Sequence, residues 1–212
     1  MNSNRLVYGS FPIRSVSATI LAAMLFAAST MASHAQDVMI MDESNFFMGF
    51  EVKFLGLFPI AGRFKEASGT LIYDKNNPAA STVRIIGKTA SIDTNFKMRD
   101  DHLRSADFFD VKNHPTIVFE STRAGVTVGK IGTVTGNLTI KGITKPVTLH
   151  VKAHDRKPYP LPAYKRPLVA GFEASGKVRR EDFGLGNGEA LLTLRADFIK
   201  CVGKAAACTK RR

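Results

Sequence analysis

The sequence predicts an all-β chain: a single antiparallel barrel of about eight strands, broken once by a short helix near residues 94–104. Three observations predict it. Apolar residues alternate with a period of two in segment after segment, as in strands with one buried face. Gly, Pro, Asn and Asp cluster between those segments at regular spacing, as in turns. One polar, helix-capable stretch, Ser91 to Asp101, interrupts the series.

The first 35 residues are of another kind. Their only charged side chains are Arg5 and Arg14, and Val16 to Met31 is apolar or small. Ser33 and Ala35 then put small residues at the two positions a signal peptidase reads. This predicts a cleavable secretory signal peptide over residues 1–35, a chain starting at Gln36, and a periplasmic or secreted destination. The apolar run is short and rich in Ala and Ser for a membrane span, which needs ~20 strongly apolar residues.

Residues 36–200 are expected to form one barrel domain, followed by a basic tail over 201–212. The whole chain carries a formal +12; without Arg5 and Arg14 it carries 12 − 2 = +10. Such a charge suits an anionic membrane surface, acidic partners or nucleic acid, and export argues against nucleic acid. A basic surface that merely aids solubility explains it equally well. The oligomeric state is open, a homodimer included. Cys201 and Cys208 are the two cysteines, and in an oxidising compartment they are expected to pair.

The strands follow in order. Phe46, Met48, Phe50, Val52 and Phe54 share a face, and Leu55 to Pro59 breaks the run. Pro59 lacks the N–H that a central strand needs. Ile60 to Tyr73 resumes, with Phe64, Gly69, Leu71 and Tyr73 packed. Asp74 to Pro78 turns, and Thr82 to Ile92 carries Val83, Ile85 and Ile86. Asp93 and Thr94 are expected to cap a helix over Asn95 to Leu103, with Asp100, Asp101 and Arg104 outward. Asp107 to Asp110 is a loop that buries one or both Phe rings. Thr116 to Thr122 presents Ile117 and Phe119. Thr133 to Lys141 presents Val134, Gly136, Leu138 and Ile140. A Gly142 hairpin leads to Lys145–Ala153, with Val147, Leu149 and Val151 inward. His154 to Pro167 is a Pro- and Tyr-bearing loop. Leu168 to Val178 presents Ala170, Phe172, Ala174, Gly176 and Val178. Glu189 to Ile199 presents Ala190, Leu192, Leu194, Ala196 and Phe198.

An eight-stranded barrel is just wide enough to be filled by its side chains or to hold one small ligand. The inward faces mix large residues with Gly and Ala. That leaves room, either for a ligand tunnel or for the Phe rings themselves; the chain has 15 Phe and no Trp.

No residue set points to catalysis. GxSxG, HExxH and Walker patterns are absent, and Gly184 to Gly188 lacks the βαβ frame of a dinucleotide loop. His102 beside Asp100 and Asp101 reads as a helix-end histidine, a position that favours cations. No catalytic residue, cofactor or metal ligand is assigned.

Several phrases carry a family resemblance: HLRSADFFD at His102–Asp110 followed by His114-Pro115, the spacing of Phe64, Gly69-Thr70, Asp74 and Asn77-Pro78, GNLTIKGITKPVTL at Gly136–Leu149, and AGFEASGKVRREDFGL at Ala170–Leu185. Together they resemble the YceI-like polyisoprenoid-binding family over nearly all of the predicted domain. The resemblance implies a lipocalin-like barrel that is exported and carries an isoprenoid lipid, such as a polyprenyl chain or quinone tail, without catalysis. It favours a tunnel over a filled core. Alternation then nominates Phe50, Val52, Phe64, Ile85, Phe119, Leu138, Leu149, Phe172, Ala174, Gly176 and Leu192 as ligand-facing; Arg99, His102 and Arg104 are candidates for a head group at a mouth, with surface or helix-capping roles the favoured alternative. A lipid-modifying enzyme with the same cavity and a ligand-free stress-related structural protein are the alternatives.

Overall fold

The computed structural model describes residues 36–159 and 167–201. The expected leader over 1–35 and the tail with Cys208 lie outside the described residues, and so does the Cys201–Cys208 pairing.

The described chain forms β1 (Asp37–Phe54), β2 (Phe58–Phe64), β3 (Ala67–Tyr73), β4 (Thr82–Lys88), β5 (Ile92–Asp93), α1 (Lys97–Arg104), β6 (Thr116–Gly125), β7 (Ile131–Ile140), β8 (Ile143–Ala153), β9 (Lys157–Pro158), β10 (Leu168–Arg179) and β11 (Glu189–Lys200). Eight of these close a ring in the order β1-β3-β4-β6-β7-β8-β10-β11, and β11 pairs back onto β1. Every pairing is antiparallel. Closure leaves the ring without an open edge. The all-β barrel with one helix matches the sequence expectation.

Four local expectations need correction. First, β1 begins at Asp37, well before Phe46, and its inward parity changes along its length. Met39 and Met41 are buried in the first half, Met48 and Phe50 face inward in the second. Between them the register jumps from Met41↔Phe198 to Phe46↔Ala196. A bulge with an odd number of extra residues moves the apolar set to the other parity, which hides the early half from a period-two reading. Asp42 stabilises the bulge by accepting the backbone N–H of Ser44 at 3.0 Å, and Asn45 donates to Asp197.

Second, the single strand read over Ile60–Tyr73 is two, with Phe58 and Pro59 added at its start. Lys65 and Glu66 bend the chain, and Ser91 satisfies both backbone N–H groups, through its carbonyl at 3.1 Å and its hydroxyl at 3.0 Å. Pro59 is tolerated because β2 is paired beyond β1 only at Arg63 and Phe64; at Pro59 that side of β2 is an edge.

Third, the strand read over Thr82–Ile92 stops at Lys88. A 3-10 turn over Thr89–Ser91 carries the chain into β5. Fourth, neither Asp93 nor Thr94 caps the helix, which starts later, at Lys97. Asp93 instead accepts the N–H of Asn95 at 3.1 Å, and Asn95 takes a left-handed φ of 60°. Asp100, expected outward, is buried, and Arg104 is half-buried.

Candidate functional site

The barrel has a packed end and an open end. At the packed end Met41 pairs with Phe198, Phe198 with Ala170, and Met39 with Leu71. All five side chains are buried. Phe172 meets the Phe198 ring edge-on, with centroids 5.6 Å apart. These residues fill the barrel there.

Toward the other end the interior is empty. A cavity of about 1260 Å³ is lined by Met48, Phe50 and Val52 of β1, Ile60 and Phe64 of β2, Ile85 of β4, Ile117 and Phe119 of β6, Leu138 and Ile140 of β7, Val147 and Leu149 of β8, Ala174 of β10, and Leu192 and Leu194 of β11. It exceeds the ~300–1,000 Å³ of ordinary small-molecule pockets. Inside the barrel its wall is mostly aliphatic and aromatic, with charged residues such as Lys53, Arg99, Lys177 and Glu189 also in the lining, so water gains little there and an apolar chain gains much.

The loop from the end of α1 closes one flank. Phe109 donates its N–H to the Leu103 carbonyl at 3.0 Å, and Asp110 donates to Ser105 at 2.8 Å. Lys141 ties the loop to the β7–β8 turn by donating to the Ala106 carbonyl at 2.9 Å. So held, the Phe109 ring meets Phe64 edge-on at 5.6 Å, and Phe64 lies 5.8 Å from Phe50. A second flank comes from the 3-10 turn after β10 and the residues just past it, where Phe183 and Leu185 reach the cavity.

Of the eleven nominated ligand-facing residues, nine line the cavity: Phe50, Val52, Phe64, Ile85, Phe119, Leu138, Leu149, Ala174 and Leu192. Phe172 does not; it belongs to the packed end. Gly176 does not either. It faces inward, but Leu149 covers it, so that an added Cβ would fall 2.7 Å from Leu149 Cδ2. Met48, Ile117, Ile140, Val147 and Leu194 line the cavity without having been nominated. Each lies two residues from a nominated position, so the signal was present. Phe183 and Leu185 carry none, because neither the 3-10 turn nor the loop after it has strand alternation.

The polar groups near the mouth are mostly engaged. Arg99 lines the cavity, yet its guanidinium donates to the Thr94 hydroxyl at 2.7 Å and the Thr94 carbonyl at 2.8 Å. Arg180 donates to the carbonyls of Asn187 and Leu185. Lys177 pairs with Glu189 at 3.3 Å. His102 lies edge-on to Phe108 at 4.8 Å, with its Nε2 3.6 Å from Asp107, too far for a hydrogen bond. Arg104 is not at the cavity; it donates to the backbone carbonyls of Ala90 and Ile92 and holds α1 to the barrel. Among the described residues no three His, Cys, Asp or Glu side chains converge as a metal-binding group.

Comparison with known proteins agrees with this architecture. The UPF0312 protein of Pseudomonas aeruginosa is 38% identical over 173 residues, covering 81% of this chain and 87% of that one. Protein YceI of Escherichia coli is 39% identical over 168 residues, covering 77% and 83%. Among solved structures, Burkholderia cenocepacia BcnA superposes with a TM-score of 0.64 at 24% identity, over 74% of this chain and 98% of that one. A polyisoprenoid binding domain from Saccharophagus degradans superposes with a TM-score of 0.56 at 12% identity, over 79% and 100%. The family model described as the YceI-like domain matches residues 40–203, and the chain belongs to that family.

Proposed function

We propose that this protein is an exported, non-enzymatic carrier that holds one isoprenoid lipid, a polyprenyl chain or quinone tail, inside the barrel. The observation that carries the reading is the half-empty barrel, whose apolar cavity of about 1260 Å³ opens at one end. The description of the Saccharophagus degradans structure as a polyisoprenoid binding domain supports the choice of lipid class. Export rests on the sequence of residues 1–35 alone.

Native mass spectrometry of protein purified without detergent tests the carrier. An added mass that extracts into organic solvent and carries prenyl repeats is expected. Protein bearing no extractable mass, and taking up none from prenyl lipids, would leave a ligand-free structural protein as the better reading. For export, N-terminal sequencing of the extracytoplasmic protein should begin at Gln36; intact Met1 there would overturn it.

A further inference from the structure

The cavity mouth is bordered by two segments with unusually exposed apolar side chains. At the β1–β2 tip, Leu55 is 78% and Leu57 73% exposed, flanked by Phe54 and Phe58; at the start of α1, Met98 is 75% exposed beside Phe96. Six of the nine large, exposed apolar residues described in the chain lie on these two short segments. The tip is a tight reversal, with φ of 51° at Leu55 and 74° at Gly56, closed by Leu57 N–H on the Phe54 carbonyl at 3.0 Å. It projects Leu55 and Leu57 into solvent, while the Phe54 and Phe58 rings behind them lie 6.4 Å apart.

We propose that the open end of the barrel docks on an anionic phospholipid bilayer, with Leu55, Leu57 and Met98 as the inserted edge. Phe54, Leu55, Phe96 and Met98 also line the cavity, so the exposed edge and the apolar interior are one continuous surface. That continuity gives a water-insoluble chain a route between bilayer and barrel, a consequence that rests on the carrier reading above. The charge fits as well. Lys53, Arg99, Lys177 and Arg180 outnumber Glu51 and Glu189 among the lining residues, and the chain carries +12, or 12 − 2 = +10 without Arg5 and Arg14. Apolar insertion flanked by cations is how a monotopic surface binds anionic lipid. A second copy seated on the same tip would instead bring these cations against their own counterparts.

The chain has no tryptophan, so a single introduced one reports its own surroundings. In otherwise full-length protein, Leu57→Trp should shift its emission to the blue on adding phosphatidylcholine–phosphatidylglycerol vesicles. Val128→Trp, in the turn at the packed end, should not shift. The Leu55→Ser, Leu57→Ser double variant should co-sediment with those vesicles roughly tenfold less than wild type, with an unchanged thermal melt. No shift at Leu57→Trp, equal shifts at both sites, or unimpaired co-sedimentation of the double variant would overturn the docking. So would a wild-type dimer that the double variant splits while vesicle binding stays the same, which would make the tip a subunit interface. Organic extraction of the same samples separates the two proposals. Docking by protein that holds no prenyl lipid keeps the docking and sinks the carrier; retained lipid without docking does the reverse.

Discussion

The carboxylate of Asp100 accepts both the backbone N–H and the hydroxyl of Thr94, at 2.9 and 2.5 Å, and Asp100 is 7% exposed. Thr94 in turn receives Arg99, so three side chains knot the entry of α1 beside the cavity mouth. Replacing Asp100 with Ala leaves the buried Thr94 N–H without its acceptor. The expected loss is about 1–3 kcal/mol of stability, read as a lowered denaturant midpoint with an unchanged slope. A midpoint equal to wild type would mean that water replaces the carboxylate.

The acid side of the stability profile should depend on Asp93. The Asn95 N–H holds its carboxyl below the ordinary carboxylate value, and Lys65 and Arg63 add to the effect. A carboxyl whose folded pKa is lowered contributes stability above its unfolded value, and that contribution is lost as pH falls through the folded one. Wild-type stability should therefore drop below the unfolded Asp value of 3.8. Asp93→Asn should lower stability at neutral pH and flatten the drop. Thermal melts from neutral pH down to acid compare the two; parallel curves would count against this linkage.

Ala174 and Gly176 look equivalent in the sequence and should behave differently. Ala174 lines the cavity, whereas the Cβ of any residue at 176 would also meet the Thr148 carbonyl at 3.0 Å. Ala174→Phe is expected to keep the fold and lose retained lipid. Gly176→Phe is expected to lose about 1–3 kcal/mol by overpacking. Unfolding midpoints and lipid content, measured together on both variants, check this; identical behaviour would contradict the difference in depth.

That difference marks what the sequence could and could not show. Period-two alternation assigns a face, and Phe50, Phe119, Leu138 and Leu192 lie on the cavity face that it assigns to them. It assigns no depth along the barrel axis, because depth follows from strand register. Phe172 and Ala174 share a face, but the pairs Phe172↔Ala196 and Ala174↔Leu194 place one at the packed end and the other at the cavity. The bulge over Asp42–Asn45 hid Met39 and Met41 for a related reason, since it shifts parity without a Gly or Pro to announce it. Asp93 and Thr94 are good capping residues by type, yet Thr94 is held by Asp100 and Arg99 from the first turns of the helix itself, and Asp93 by Asn95.

Affinity should follow tail length far more than head group. Each buried CH₂ contributes about 0.8 kcal/mol, and the cavity wall supplies apolar surface along its length. The polar groups at the mouth have little left to give. The Arg99 guanidinium is committed to Thr94 and that of Arg180 to Asn187 and Leu185. A head group would have to displace those bonds or settle for Lys53, His102 and solvent. In a series of prenyl alcohols, Kd should fall with each added isoprene unit until the cavity is full and then level off. Matched alcohol, phosphate and quinone heads on one tail should differ by less than a single isoprene step. Titration calorimetry measures both series. A Kd flat across tail length, or a head-group effect larger than a unit of tail, would show that the cavity wall is not what holds the ligand.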